Sequence, residues 1–265
     1  MVIDGKKVAA DIMERLRRTR HPEKFLAAVT VGADPSSASF LREKERAARE
    51  LGADFRLFRF PEDISPVELR ENVARIAAMD ACGGVLVQLP LPARIGREMV
   101  LSGIPQEKDV DNLRGDTAVP APAVGVVDEI LKANNYSLKA LRVAVVGAKG
   151  FLVGRPVAAW LEGKCARLLT LDMGDDLGAL ASADIVILGT GSPGLVKPEM
   201  LKKGALVIDF GYGKKDGKVC GDFDPSSLTT ESSKIRAVSY TPTPGGTGPI
   251  LVAKLLENFY KLNRK

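Results

Sequence analysis

Short apolar stretches alternate with amphipathic helical patterns along most of the chain, and this alternation restricts the fold more than any other feature. The first series predicts strands at 25–32, 54–60 and 83–88, separated by helices at 36–52 and 65–79. The first of these helices is expected to begin at a serine cap and to stop at Gly52. A second series begins near residue 142 and predicts strands in "RVAVVG", "ARLLTLD", "ADIVILGTG" and "ALVIDFG". Parallel strands need crossover connections, which are usually helices. The pattern therefore predicts an α/β fold with parallel sheets covered by helices.

The two series are separated by residues 102–122, a stretch rich in glycine, proline and charge that is typical of a functional loop or a domain connection. We therefore expect two domains, an N-terminal three-layer α/β domain at 1–118 and a second α/β domain at 119–242. An amphipathic helix at 249–262 follows the second sheet. We expect residues 243–265 to return to the first domain.

Composition excludes several classes of function. Hydrophobic residues make up 45% of the chain, but no apolar run reaches the ~18 residues that cross a bilayer, so we expect a cytoplasmic protein with no membrane partner. Aromatic residues amount to only 5%, and the one basic cluster closes the first helix, so no nucleic-acid surface is predicted. Three widely spaced cysteines and a single histidine predict neither a disulfide framework nor a metal site.

The stretch "VAVVGAKGFLVGRPVAAWL" is typical of a strand, a glycine turn and a helix. Its glycines are spaced G-x-x-G-x-x-x-G and would let the backbone approach a pyrophosphate, whose charge the helix N-terminus favours. A tight turn without a ligand is the alternative, but the flanking strands favour a Rossmann-like dinucleotide-binding domain. The cofactor-binding candidates are Gly147, Ala148, Lys149, Gly150, Gly154, Asp172 and Tyr212.

Asp172 ends the strand that follows this helix, about 25 residues beyond Gly147, where the general rule places an acid about 20 residues on. A carboxylate there accepts hydrogen bonds from ribose hydroxyls and repels a 2′-phosphate. A solvated loop acid is the alternative. The position favours NAD over NADP.

In the first domain, Lys44 falls on the apolar stripe of its predicted helix, between Leu41 and Ala48. Phe40 precedes it by one turn, so the ring and the ammonium are neighbours. A lysine at such a position usually extends to solvent. If it lines a cleft instead, burial lowers its pKa and makes it a usable proton carrier.

Gln88 closes the predicted strand "GGVLVQ", and two prolines in "LPLP" then end any further pairing. Ligands of parallel sheets bind outside the carboxyl ends of strands, so this amide is expected to face a ligand site. It can accept a hydrogen bond from Lys44 without adding a charge. Asp111, in "KDVDNL", either binds an N–H-rich heterocycle through two hydrogen bonds or caps its own loop.

Taken together, these stretches resemble the bifunctional methylenetetrahydrofolate dehydrogenase/cyclohydrolase family. The matching pieces run in family order over nearly the whole chain and include "SFLREKERAARELG", "GGVLVQLPLP", "EKDVDN", "GAKGFLVGRP" and "TPTPGGTGP". The resemblance implies two domains around a cleft, a homodimer, and a role in one-carbon metabolism that supplies purine biosynthesis. It implies that a nicotinamide cofactor, NAD or NADP, oxidises 5,10-methylenetetrahydrofolate and that water converts the methenyl product to 10-formyltetrahydrofolate.

The resemblance also assigns roles to residues. Lys44, bonded to Gln88, is the implied catalytic lysine, and Asp111 is implied to hold the pterin ring. These three are the predicted catalytic residues. The substrate-binding candidates are Phe40, Lys44, Gln88, Asp111, Pro244, Gly245 and Gly246, and no metal is predicted.

Several positions depart from the family pattern. Phe40 stands where the family usually has Tyr, which keeps a ring but loses the hydroxyl, and Asn112 replaces a glycine. The glycine turn lacks the common Gly-Arg-Ser triplet, which further disfavours NADP, although Lys149 could partly replace the arginine. The alternatives are a dehydrogenase with weak or lost cyclohydrolase activity and a non-catalytic folate- or nucleotide-binding paralogue.

Overall fold

The computed structural model describes residues 1–215, 217–229 and 238–264. Its chain divides into two compact units, one formed by residues 11–122 with 252–265 and the other by residues 1–10 with 123–251. We call the first the folate unit and the second the nucleotide unit, after the functions predicted above.

The folate unit is built on a three-stranded parallel sheet of β1 (Phe25–Val31), β2 (Phe55–Phe60) and β3 (Cys82–Val87). β1 is central, in the order β2-β1-β3. Every residue of β1 and β3 is buried, as expected when helices cover both faces of a parallel sheet. The α-helices within residues 1–101 are α1 (Gly5–Arg17), α2 (Pro35–Glu50), α3 (Pro66–Ala78) and α4 (Arg97–Leu101).

The beginning of α2 differs from the prediction. Serines were expected to cap this helix, but the cap is Asp34, whose Oδ2 accepts from the Ser37 amide at 2.6 Å. The reason is Pro35, because proline is favoured at the first helical position, where its missing N–H needs no partner. The helix ends as predicted before Gly52, whose φ of +73° suits a residue without Cβ.

The described residues of the nucleotide unit form the strands β4 (Arg142–Val146), β5 (Arg167–Leu171), β6 (Ile185–Leu188), β7 (Leu206–Asp209), β8 (Gly213–Lys215), β9 (Lys218–Cys220) and β10 (Ser239–Tyr240). Five of them make a parallel sheet in the order β10-β7-β6-β4-β5. β8 and β9 form a separate antiparallel hairpin in the stretch "KKDGK", of which Asp216 lies outside the described residues. The α-helices that follow α4 in the described part of the chain are α5 (Pro122–Ala133), α6 (Gly154–Leu161) and α7 (Thr247–Leu262).

The fold class predicted from the sequence is confirmed: two α/β units with parallel sheets, with the end of the last helix returning to the first. Residues 252–265, most of α7, belong with residues 11–122. The boundaries predicted for the domains, 118/119 and 242/243, stay a prediction. None of the helices in the described part of the chain is long and apolar enough to cross a membrane.

Candidate active site

Lys44 and Gln88 are in direct contact. The Lys44 Nζ donates to Gln88 Oε1 at 3.1 Å, although the two residues come from α2 and from the end of β3. Both side chains are half-buried. The structure therefore places the lysine against the amide and not in the bulk solvent.

The backbone fixes where Gln88 points. Its N–H donates to Val29 O at 2.8 Å, which adds one more bond to the ladder between β1 and β3. Its side-chain Nε2 donates to Leu89 O at 2.8 Å, so the amide oxygen is the atom left for Lys44. Ser37, which the sequence analysis did not single out, donates from Oγ to the same Leu89 carbonyl at 3.5 Å.

Charge and burial act in opposite directions on the lysine and its neighbouring acid. Burial lowers the pKa of Lys44, while the negative charge of Asp111 raises it. Burial likewise raises the pKa of Asp111, which Lys44 lowers and Asp109 raises further. Both groups are shifted toward their neutral forms, as expected for ionisable groups removed from water. A lysine in this state can release and accept a proton more readily than one in water.

The loop that carries Asp111 is held by two buried side chains, Asn258 from outside the loop and Asp109 from within it. Asn258 on α7 is only 2% exposed, and its Nδ2 donates to Val110 O at 2.9 Å and to Pro120 O at 2.8 Å. Asp109 is fully buried and accepts at Oδ2 from the Arg114 amide at 3.0 Å. Neither residue was predicted as part of the site, and a helical asparagine far along the chain gives no signal in the sequence of a contact with this loop.

Asn112 explains one departure from the family pattern. Its φ is +49°, in the left-handed region where glycine is the usual residue and asparagine the best tolerated substitute. Its Nδ2 also donates to Val119 O at 2.9 Å across the loop. Replacement of the family's glycine is therefore compatible with the same backbone. Phe40 lies half-buried on α2, one turn before Lys44, as predicted.

In the turn that follows β4, the glycine positions have no room for a side chain. Gly147 has a φ of +81°, and a Cβ on it would lie 2.7 Å from Gly189 O. A Cβ on Gly154 would lie 1.9 Å from Gly147 O, and one on Gly150 2.9 Å from the same atom. This tight turn, with a helix starting at Gly154, is a backbone arrangement that fits a bound pyrophosphate.

Asp172 lies beside this turn. Its Oδ1 accepts from the Lys149 amide at 3.0 Å, and its Oδ2 lies 4.0 Å from Lys149 Nζ. The side chain of Asp172 is 20% exposed and that of Lys149 84% exposed. The carboxylate is thus fixed to the turn by a backbone bond, while the ammonium extends into solvent. Ala148, in the same turn, is buried.

The remaining candidates belong to the nucleotide unit. Tyr212 follows β7 and is 42% exposed. Gly245 has a φ of +97°, which favours glycine, and a Cβ on Gly246 would lie 2.4 Å from Pro242 O. Pro244 precedes them in the same turn.

Cys82, Cys165 and Cys220 are free thiols. Among residues 1–215, 217–229 and 238–264, no group of three or more histidine, cysteine or acidic side chains is arranged to hold a metal ion.

Comparison with known proteins identifies the family. Residues 3–111 match the catalytic domain of tetrahydrofolate dehydrogenase/cyclohydrolase, and residues 120–265 match its NAD(P)-binding domain. The chain belongs to the tetrahydrofolate dehydrogenase/cyclohydrolase family. The family predicted from the sequence motifs is therefore confirmed.

Relatives and solved structures agree with this assignment. The bifunctional protein FolD of an Exiguobacterium species is 37% identical over 279 residues, which cover 97% of this chain and 96% of the relative. A FolD crystal structure from Campylobacter jejuni superposes with a TM-score of 0.89 at 30% identity, covering 99% of this chain and 98% of that one. The structure of the Trypanosoma brucei enzyme, complexed with NADP cofactor and inhibitor, superposes with a TM-score of 0.87 at 30% identity, covering 99% of this chain and 96% of that one.

We predict that Asp111→Asn lowers the pKa of Lys44 further, because the substitution removes the negative charge that raises it. The measurement is the pH dependence of Lys44 acetylation by acetic anhydride, followed by mass spectrometry, whose midpoint is expected at lower pH than in the wild type. Asp116→Asn, an exposed acid in the same loop, is the matched control and leaves the midpoint in place. A midpoint that stays or rises in Asp111→Asn contradicts the electrostatic coupling.

Proposed function

We propose that Lys44, Gln88 and Asp111 form the reacting centre of a bifunctional folate enzyme. The chain oxidises 5,10-methylenetetrahydrofolate with a nicotinamide cofactor and hydrolyses the methenyl product to 10-formyltetrahydrofolate, the two activities of its family. The observation that carries the residue assignment is the 3.1 Å bond from Lys44 Nζ to the neutral Gln88 amide, with Asp111 close enough to shift the pKa of the lysine.

Hydrolysis places the main demand on the lysine. Water adds through its oxygen to the methenyl carbon and must lose a proton. The bond from that carbon to the ring nitrogen must then break with protonation of the nitrogen, while the remaining hydroxyl proton leaves to solvent as the formyl C=O forms. A neutral Lys44 amine accepts the first proton at Nζ, and the resulting ammonium supplies the second. Gln88 fixes the position of Nζ without a charge that would hold the proton there. Asp111 is the proposed acceptor for the N–H groups of the pterin.

Oxidation depends more on placement than on acid–base chemistry. When bound, the nicotinamide accepts a hydride from the methylene carbon. The proposed binding residues for the dinucleotide are those of the glycine turn, namely Gly147, Ala148, Lys149, Gly150 and Gly154, with Asp172 and Tyr212. Phe40, Pro244, Gly245 and Gly246 are proposed to contact the folate.

We propose NAD as the preferred cofactor. A carboxylate held by the Lys149 amide is fixed where the adenosine ribose of a dinucleotide binds in this kind of domain, and it would repel a 2′-phosphate. Lys149 Nζ, 4.0 Å from the same carboxylate, opposes this preference in part. The Trypanosoma brucei relative was solved with NADP, so the preference proposed here differs from the cofactor bound in that relative.

A second candidate function is a dehydrogenase with weak cyclohydrolase activity. The observation that favours it is Phe40, which lies one turn before Lys44 and lacks the hydroxyl of the tyrosine that the family usually has there. Family membership also supports a cytoplasmic homodimer, which we propose for this chain.

We predict that Lys44→Met lowers cyclohydrolase activity by at least about 100-fold, because proton transfer by a positioned side chain typically contributes that much. Hydrolysis of methenyltetrahydrofolate is followed by its loss of absorbance. Arg42→Met, on the exposed face of the same helix, is the matched control and keeps the wild-type rate. Undiminished hydrolysis in a folded Lys44→Met protein would remove the lysine from its role.

Phe40→Tyr is expected to leave cyclohydrolase activity unchanged or to raise it, because it adds the hydroxyl and keeps the ring. The ratio of the two activities, measured on one preparation, separates this effect from differences in active enzyme. A large fall in hydrolysis would show that the unsubstituted phenyl ring has another function.

Purified enzyme with methylenetetrahydrofolate is expected to reduce NAD at least as efficiently as NADP. Asp172→Asn should move the ratio of kcat/KM values toward NADP by about tenfold, since removing one charge near a phosphate is worth about 1.4 kcal/mol at short range. Asp175→Asn, an acid three residues on in the same loop, is the control. A strong wild-type preference for NADP would refute the role given to Asp172.

A further inference from the structure

The carboxylate of Asp222 is fully buried in the nucleotide unit and accepts three hydrogen bonds on one oxygen. Its Oδ2 accepts from the Thr190 amide at 2.7 Å, from the Thr190 hydroxyl at 2.8 Å and from the Gly191 amide at 3.2 Å. Its other oxygen, Oδ1, has no hydrogen-bond partner within the described residues. All three donors belong to the loop that leaves the carboxyl end of β6.

This loop lies against the glycine turn. A Cβ on Gly147 would lie 2.7 Å from Gly189 O and 3.2 Å from Thr190 Cγ2, so the two segments are in close contact. Both follow central, adjacent strands of the parallel sheet, β4 and β6, at the edge where ligands of such sheets bind. A displacement of residues 189–191 would therefore alter the surface that the dinucleotide meets.

The segment that carries Asp222 is itself firmly held. Its backbone pairs with the continuation of the β6 loop, through Val196 N to Asp222 O at 2.9 Å and Gly194 N to Gly221 O at 2.9 Å. On the other side, the Phe223 amide donates to Asp209 Oδ2 at 2.9 Å. The segment of Gly221, Asp222 and Phe223 thus connects the end of β7 with the loop after β6.

We propose that Asp222 is a positioning residue for the dinucleotide site, which it serves by holding the Thr190–Gly191 loop against the glycine turn. The inference rests on the proposed function, since it presupposes that the dinucleotide binds at this turn. A loop held in its binding-competent conformation binds without the loss of affinity that a partly populated conformation brings. Asp222 does not itself contact the cofactor in this proposal.

The substitution Asp222→Asn tests the hydrogen bonds apart from the charge. An asparagine oxygen at the Oδ2 position can accept all three bonds, and its NH₂ takes the Oδ1 position, where no bond is lost. Asp222→Ala removes all three acceptor interactions. If Asp222 acts by positioning the loop, the two variants must differ in their affinity for the dinucleotide.

The experiment measures Kd for NADH and for NADPH by fluorescence, hydrogen exchange of the Thr190 and Gly191 amides by NMR, and cyclohydrolase activity, which needs no dinucleotide. For Asp222→Ala we expect Kd of the preferred dinucleotide to rise at least about tenfold, faster exchange at both amides, and cyclohydrolase activity within about twofold of wild type. Asp222→Asn is expected to keep Kd within about threefold.

A second pair of variants covers the case in which Asp222→Ala does not fold. Thr190→Val removes the hydroxyl donor and should weaken dinucleotide binding, whereas Thr190→Ser keeps the donor and the affinity. Unchanged Kd in the folded Asp222→Ala or in Thr190→Val would overturn the proposal, as would Asp222→Asn binding as weakly as Asp222→Ala. Wild-type protein that binds neither dinucleotide would instead contradict the proposed function.

Discussion

The candidate site depends on one contact, the hydrogen bond from the Lys44 ammonium to the amide oxygen of Gln88. A buried ammonium without an acceptor would be strongly unfavourable, and a carboxylate partner at hydrogen-bond distance would hold the proton on the lysine. A neutral amide supplies the acceptor that the ammonium needs, and it adds no negative charge that would hold the proton on the lysine. Among the described residues, the charge that raises the pKa of Lys44 is that of Asp111, which the ligand is proposed to engage. Binding of substrate to that acid can therefore change the proton affinity of the lysine.

Much of this arrangement could be predicted from local patterns in the sequence. Lys44 interrupts an apolar helical stripe, and Gln88 ends an apolar strand before two prolines. Both are polar residues at positions where the pattern is otherwise apolar, which a packing role does not explain. Parallel β/α order then puts the ends of the strands on one edge of the sheet. The prediction for the start of α2 was wrong because several polar residues near Pro35 are acceptable caps, and the position of the proline decides among them.

The residues that hold the loops could not be predicted in this way. Asn258 contacts Val110, and Asp222 contacts Thr190, across long separations in the chain. Neither contact leaves a periodicity or a spacing that sequence patterns can register, because both pair a side chain with the backbone of an irregular segment. Sequence motifs therefore identify the candidate reacting residues more readily than residues such as Asn258 and Asp222, which hold the surrounding loops in place.

The two bonds donated by Asn258 have a consequence for how this enzyme can vary. One NH₂ group donates to the carbonyls of Val110 and Pro120, so the two ends of the intervening loop are held together by a single side chain. Insertions or substitutions between Arg114 and Ala118 can then change the outer part of this loop, while Asp111, next to Val110, keeps its position. The position of Asp111, the acid proposed to bind the pterin, is thereby kept independent of sequence change in the outer part of its loop.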